Sequence, residues 1–274
     1  MRNPIKRAIK AIQAVVHRYS EPLRLELSLV DHCNLNCKGC THYCPIAPEH
    51  YMPLDGLERD LAHLAGVDNA MFRHIYLLGG EPLLHPEINR AMELSRCYFP
   101  AAGIRLLTNG LLVMRMPQEF WDTCRATGTV ISVTIYPVKT DYRAIEAECL
   151  RQGVEYEIFH QPQGDTFFSK HTIDDINPGN RHINFLRCYQ AGCLTLRDGR
   201  IYPCATSAYV EHINNRFDRH FETCHGDYVD AMSVRHRRDL IRLKNRPTRF
   251  CRYCTRLTPM AWAPSRRQPS EWLP

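Results

Sequence analysis

Residues 23–40 read LRLELSLVDHCNLNCKGC, an alternating apolar run that leads directly into three cysteines. The alternation over 23–30 predicts a half-buried β-strand. The cysteines follow in the spacing C-x3-C-x2-C and are Cys33, Cys37 and Cys40. Closely spaced thiolates hold zinc or an iron–sulfur cluster. Zinc needs a fourth ligand here, for which Cys44 and His42 are candidates, whereas a [4Fe–4S] cluster on three cysteines keeps one iron open to a small molecule.

Strand-like and helix-like patterns alternate beyond this loop. Short apolar or β-branched runs predict strands at 75–78, 104–107, 130–136 and 154–159. Amphipathic spacing and end signals predict helices at 55–64, 86–98, 117–126 and 141–151. This alternation predicts parallel strands joined by helical crossovers, an α/β sheet or partial barrel. It fades after His160, so we expect a polar connecting loop at 161–185 and, later, a hairpin around Asp198-Gly199.

A second motif follows the strand predicted at 75–78. It reads Gly79-Gly80-Glu81-Pro82, which by itself is an ordinary strand-to-helix turn. Together with the C-x3-C-x2-C loop after the first strand, it resembles the radical S-adenosylmethionine (SAM) superfamily. The resemblance covers roughly residues 22–160 and implies a partial (β/α)6 barrel with its active site at the carboxyl ends of the strands. It also implies a [4Fe–4S] cluster on the three cysteines and SAM as the cofactor bound to the open iron.

The resemblance further implies which residues lie beside SAM. They are Gly79, Gly80, Glu81, Pro82, Asn109, Ser132 and Thr134. Ser132 and Thr134 share one face of a strand. Two interpretations are equally favoured for them: they contact the SAM ribose, or they only line the barrel interior. One position departs from the family pattern, because the residue before the third cysteine, often bulky and close to adenine, is Gly39 here. Either His42 or Tyr43 supplies that surface or the pocket is more open, and no catalytic residue is assigned.

Five more cysteines cluster in the last third of the chain, and they are Cys188, Cys193, Cys204, Cys251 and Cys254. Their pattern resembles the auxiliary-cluster region called twitch, a shortened relative of the SPASM domain, and implies a second [4Fe–4S] cluster. The favoured ligands are Cys188, Cys204, Cys251 and Cys254, with Cys193 as a replacement for Cys188 or a spare thiol. A zinc ribbon of two cysteine pairs is the alternative. Among the other five cysteines, Cys97, Cys124 and Cys149 are expected to be buried in helices.

Charge divides the 274 residues into three parts. The net charge of +6 splits into +5 over residues 1–20, +9 over 235–274 and −8 over the body between them. We predict that 1–20 forms a basic amphipathic helix, which packs on the body or lies on an anionic membrane surface. The other predicted parts are the radical SAM barrel (21–160), the connecting loop (161–185) and the auxiliary-cluster domain with its basic tail (186–274). No apolar run is long enough to span a membrane, a cytoplasmic location is expected, and the acidic body disfavours nucleic-acid binding.

The resemblance implies the chemistry as well. Reductive cleavage of SAM gives a 5′-deoxyadenosyl radical that abstracts a hydrogen atom from the substrate, and the auxiliary cluster then accepts an electron. Twitch relatives include an alcohol dehydrogenase acting on an aminocyclitol, and no leader-peptide recognition domain is visible. We therefore expect an oxidoreductase acting on a small hydroxylated, carbohydrate-like substrate, with a flavodoxin or ferredoxin as electron donor. The alternatives are a peptide-modifying radical SAM enzyme and a non-enzymatic zinc or iron–sulfur binding module.

Overall fold

The computed structural model describes residues 22–159 and 167–274, so the helix predicted at 1–20 lies outside the described residues. Ten strands are present in the described part. They are β1 (Leu23–Val30), β2 (Phe72–Gly79), β3 (Gly103–Thr108), β4 (Thr129–Thr134), β5 (Tyr156–Phe159), β6 (Phe167–Lys170), β7 (Leu194–Arg197), β8 (Arg200–Tyr202), β9 (Val229–Asp230) and β10 (Thr258–Ala261).

Eight of these strands form one sheet in the order β5-β4-β3-β2-β1-β7-β8-β9. The strands β1 to β5 run parallel in sequence order, and β7 is a sixth parallel strand on the other side of β1. The hairpin expected around Asp198-Gly199 is present, because β7 and β8 pair antiparallel. The α/β class with a mostly parallel sheet is therefore confirmed.

Helices join the parallel strands, as the sequence periodicity predicts. The helices are α1 (Leu54–Asp68), α2 (Ile88–Tyr98), α3 (Gln118–Thr127), α4 (Tyr142–Arg151), α5 (Arg181–Arg187), α6 (Ala205–Ala208), α7 (Glu211–Phe217) and α8 (Arg237–Lys244). Asp55 lies in the first turn of α1, where an acidic side chain interacts favourably with the helix dipole. None of the helices in the described ranges is long and apolar enough to cross a membrane.

The two faces of the sheet differ in polarity. One face carries apolar side chains such as Leu27, Leu77 and Leu106, which are fully buried in a core shared with α1 to α4. Because side chains alternate along a strand, the opposite face carries Glu26, Thr134 and their polar neighbours. The cavity described below opens on this concave face, where polar side chains such as Glu26 and Thr134 lie beside the apolar Leu78 and Leu107.

The segment 161–185 differs from the connecting loop expected there. Its described part contains β6, which pairs antiparallel with β10, and the first residues of α5. The strand β6 was missed because its partner lies almost ninety residues later in the chain, and an isolated four-residue run has no periodic signal of its own. Cys97 also differs from expectation. It is exposed, since it lies on the side of α2 opposite to the buried Ala91 and Ser95.

A buried ion pair connects the end of β7 to the residue that follows β1. Arg197, at the end of β7, donates to Asp31 directly after β1 at 2.6 Å, and both side chains are buried. The same guanidinium donates to Glu211 at 2.7 Å, and His212 Nε2 lies 3.2 Å from the Asp31 carboxylate. Pairing with His212 and Arg197 outweighs burial and lowers the pKa of Asp31 to about 2. The residue two positions before the first cysteine of the loop is therefore held rigidly.

Candidate active site

The cysteine loop opens into a cavity of about 580 Å³ on the concave face of the sheet. Four of the residues expected beside SAM line this cavity, namely Gly79, Gly80, Asn109 and Thr134. Three others, Glu81, Pro82 and Ser132, are not among its lining residues. The cysteines Cys33, Cys37 and Cys40 line it as well, so the structure brings the two sequence motifs to one place.

Each thiol of the loop has a different polar neighbour. Cys33 Sγ accepts from the backbone N–H of Leu35 at 3.3 Å and from Asn109 Nδ2 at 3.6 Å. Cys40 Sγ lies 3.8 Å from the thiol of Cys44. Burial and then the charge of Cys40 raise the pKa of Cys37 to about 12. Thiols with a raised pKa stay protonated until a cation, such as the iron of a cluster, compensates the charge of the thiolate.

The two glycines after β2 pack directly against the backbone that leads into the cysteine loop. The N–H of Gly80 donates to the carbonyl of Val30 at 2.6 Å. A Cβ atom on Gly80 would lie 1.8 Å from the carbonyl oxygen of His32, and one on Gly79 would lie 2.3 Å from that of Val30. Gly79 also has a φ of +143°, which L side chains rarely adopt. The glycines are therefore required by a close approach of two backbones.

Glu81 holds the next strand end rather than lining the cavity. Its carboxylate accepts from the Thr108 hydroxyl at 2.7 Å, from the Asn109 N–H at 3.0 Å and from the Leu83 N–H at 3.2 Å. Burial raises the pKa of this carboxyl to about 7, although the three hydrogen bonds oppose the shift. Glu81 thereby fixes the turn that presents the Asn109 side chain to Cys33.

The space beside Gly39 is filled from the far end of the chain. A Cβ atom on Gly39 would lie 3.0 Å from the Sδ atom of Met260, a residue of β10. Tyr43 does not supply this surface, because it is buried in a second apolar core with its ring 6.3 Å from that of Trp272. His42 does line the cavity and packs edge-on against Tyr209.

Several cavity residues were missed by sequence reasoning. Trp262 Nε1 donates to Cys37 Sγ at 3.3 Å, and Glu26 and Lys170 bring charges of both signs to the lining. The remaining missed polar lining residues are Lys38, Thr41, Tyr136, Tyr189 and Gln190. The periodicity of β1 alone identifies Glu26 as a polar residue on the concave face, whereas no local signal identifies Trp262.

The charges of four of the five later cysteines act on one another, and Cys204 also contributes to the raised pKa of the fifth, Cys193. Burial, the charge of Cys188 and that of Cys251 raise the pKa of Cys204, which reaches about 12. Burial followed by the charges of Cys204, Cys188 and Cys251 raises the pKa of Cys254 well above its ordinary value. These are the four cysteines favoured from the sequence.

Cys193 belongs to a different environment. It lines the main cavity, and after burial the largest influence on its pKa is the charge of Glu26, a residue of β1. The sequence spacing alone does not decide whether Cys193 or Cys188 is the ligand of the second cluster.

No three cysteine sulfurs of the described residues lie within 4.8 Å of one another, although the Cys40–Cys44 pair at 3.8 Å has the spacing of two zinc ligands. Zinc–sulfur bonds of about 2.3 Å in a tetrahedron place sulfurs about 3.8 Å apart. Among the described residues, the one set of three ligand atoms that all lie within 4.8 Å of one another is Asp31, Glu211 and His212. The guanidinium of Arg197 already donates hydrogen bonds to both carboxylates of that set.

A second cavity of about 540 Å³ lies in the basic part of the chain. Its lining includes Arg181, Arg242, Arg246 and Arg249. Thr248 also lines it, and the Thr248 hydroxyl lies 3.6 Å from Cys251 Sγ. The basic surface therefore adjoins the group of four cysteines.

Comparisons with known proteins agree with this geometry. Residues 27–145 match the family model of the radical SAM superfamily. GTP 3′,8-cyclase of Microcystis aeruginosa is 33% identical over 104 residues, which are 36% of this chain and 30% of the cyclase. GTP 3′,8-cyclase of Acidothermus cellulolyticus is 29% identical over 130 residues, which are 46% of this chain and 36% of the cyclase. The chain thus matches about a third of the length of these curated relatives.

A solved structure extends the likeness of fold to most of the chain. The crystal structure of BtrN in complex with AdoMet and 2-DOIA has a TM-score of 0.55 and 16% identity, covering 86% of this chain and 94% of that chain. The matched residues 27–145 contain the cysteine loop and the Gly79-Gly80 turn packed on it, so this part of the chain is similar to radical SAM superfamily domains.

Proposed function

We propose that this chain is a radical SAM oxidoreductase that abstracts a hydrogen atom from a small hydroxylated, carbohydrate-like substrate. The observation that carries the proposal is the cavity of about 580 Å³ that joins three cysteine thiols to the concave face of the sheet. Cavities of this size enclose small molecules. The complex of BtrN with AdoMet and 2-DOIA, a protein of similar fold, supports a small-molecule substrate.

The residues present fit a [4Fe–4S] cluster and SAM. The donor set is three thiols without zinc-like spacing, as expected when each binds a different iron. The side-chain-free backbone at Gly79 and Gly80 lines the same cavity and allows close approach of a cofactor. When bound, the cluster and SAM together supply the 5′-deoxyadenosyl radical.

The chain itself binds and orients the substrate. The Glu26 carboxylate accepts from the Thr195 hydroxyl at 2.9 Å and lies on the concave face, where it can accept from a substrate hydroxyl. Lys170 and Tyr136 line the same cavity and supply donors. A substrate rich in hydroxyl groups can hydrogen-bond to both kinds of group.

We further propose a twitch-like auxiliary region over residues 186–274, with Cys188, Cys204, Cys251 and Cys254 as ligands of a second [4Fe–4S] cluster. Its role is to accept the electron released when the substrate radical is oxidised. The basic surface beside Cys251 favours an acidic electron carrier such as a flavodoxin or ferredoxin as redox partner.

Replacing Cys254 by alanine is expected to reduce the iron of the reconstituted protein from about eight to about four per chain. Cys193→Ala is the matched control, because Cys193 is, like Cys254, a half-buried thiol in the same region but lies close to Glu26. Iron is measured chemically after anaerobic reconstitution. Equal loss of iron in the two variants would show that Cys193 is a ligand.

The proposed function is tested with candidate polyols and aminocyclitols carrying deuterium at carbon. The reconstituted protein is mixed anaerobically with SAM, dithionite and one candidate. We expect deuterium in 5′-deoxyadenosine and an oxidised product lighter by two hydrogens. A protein with full iron content that forms no 5′-deoxyadenosine under any condition is not a radical SAM enzyme. If deuterium were transferred only from labelled peptides, the substrate would be a peptide and the proposal of a small-molecule substrate would be wrong.

A further inference from the structure

A segment near the end of the chain is built into the cysteine loop. Pro264 forms an antiparallel bridge with Cys37. On either side of this bridge, Lys38 N–H donates to the carbonyl of Ala263 and Ser265 N–H donates to that of Asn36, both at 2.9 Å. This segment, which we call the closing segment (residues 262–272), therefore covers the loop with backbone hydrogen bonds.

The closing segment contains two tryptophans whose indole N–H groups both point to the loop. Trp262 Nε1 donates to the sulfur of Cys37 at 3.3 Å, and its ring lines the main cavity. Trp272 Nε1 donates to the backbone carbonyl of Cys40 at 2.9 Å. The first bond ends on an atom that would bind iron, and the second does not.

A hydrogen bond to a cluster thiolate changes the energy of electron uptake. A one-electron reduction adds negative charge to the cluster and its thiolates, so a donor fixed at one sulfur stabilises the reduced form more than the oxidised form. The effect is strongest where water does not compete, and Trp262 is half-buried beside Cys37. The nearby ammonium of Lys170 acts in the same direction by charge and is independent of the indole.

We propose that Trp262 is a positioning residue that raises the reduction potential of the SAM-binding cluster through its N–H bond to Cys37, an inference that rests on the proposed function. It brings the cluster closer to the potential of the electron donor. The indole replaces water as the hydrogen-bond donor at this sulfur, so the cavity stays dry beside the cluster.

The test compares Trp262→Phe with Trp272→Phe by redox titration followed by electron paramagnetic resonance. Each substitution removes one indole N–H from the closing segment and keeps an aromatic ring. We expect the midpoint potential of the SAM-binding cluster to shift to a lower value in Trp262→Phe and to stay unchanged in Trp272→Phe. Iron content and circular dichroism establish that both variants are folded and loaded.

Two results would overturn the inference. An unchanged potential in a loaded Trp262→Phe protein refutes it while leaving the proposed function intact. An equal shift in both variants shows that packing of the closing segment, and not the bond to sulfur, sets the potential. A wild-type protein that assembles no cluster refutes the proposed function and this inference together.

Discussion

Replacing Cys33, Cys37 and Cys40 together by alanine is expected to abolish formation of 5′-deoxyadenosine and to reduce the iron content from about eight to about four per chain. The three side chains line one cavity together with Gly79 and Gly80, and the other cysteines in its lining are Cys44 and Cys193. The four distant cysteines still group around Cys204 and Cys254, so the second cluster is expected to persist. Product is measured by chromatography with mass detection, and iron is measured chemically.

The control for this triple variant is Cys97→Ala, because Cys97 is an exposed thiol on α2 away from both groups. It is expected to keep full activity and iron. A second comparison uses Cys44→Ala, since Cys44 lies 3.8 Å from Cys40 and was a candidate fourth ligand. If the triple variant retained all its iron, or if Cys44→Ala lost as much as the triple variant, the assignment of three ligands would be wrong.

Gly80→Ala is expected to lower the free energy of unfolding by about 3 kcal/mol or more, and to impair cluster loading. The added methyl group would lie 1.8 Å from the His32 carbonyl oxygen, so the backbone entering the cysteine loop must move. The hydrogen bond from Gly80 N–H to the Val30 carbonyl would be lost with that movement. Urea unfolding of the protein, followed by circular dichroism, measures the change.

The matched control is Gly66→Ala in α1. A Cβ atom on Gly66 meets nothing within 4 Å, so alanine there is expected to stabilise the protein by about 0.5–1 kcal/mol. Similar stability in the two variants would contradict the close approach of the two backbones at Gly80.

The parts of the fold that depend on local pattern were predicted from the sequence. Strands β1 to β4 and helices α1 to α4 follow from alternation, amphipathic spacing and end signals, with boundaries shifted by a few residues. Antiparallel pairing of β6 with β10 was not predictable, because neither short run carries a signal that names its partner.

The candidate site likewise contains residues that were predictable from the sequence and residues that were not. Cys37 and Gly80 belong to motifs that are contiguous in sequence, so their types and spacing were enough to place them together. Trp262 contacts Cys37 although the two residues are 225 positions apart in the sequence, and no pattern in the residues around Trp262 predicts that contact. Both Cys193 and Cys188 fit the sequence spacing of a cluster ligand. Only the three-dimensional structure distinguishes them, because Cys193 lies close to Glu26 and Cys188 acts more strongly on Cys204.

The pairing of the closing segment with the cysteine loop also has a kinetic consequence. Contacts between residues more than two hundred positions apart carry a large loop-closure entropy and form late in folding. During synthesis the cysteines leave the ribosome long before Pro264, which covers Cys37, has been translated. The closing segment can therefore cover the loop only after almost the whole chain has been synthesised.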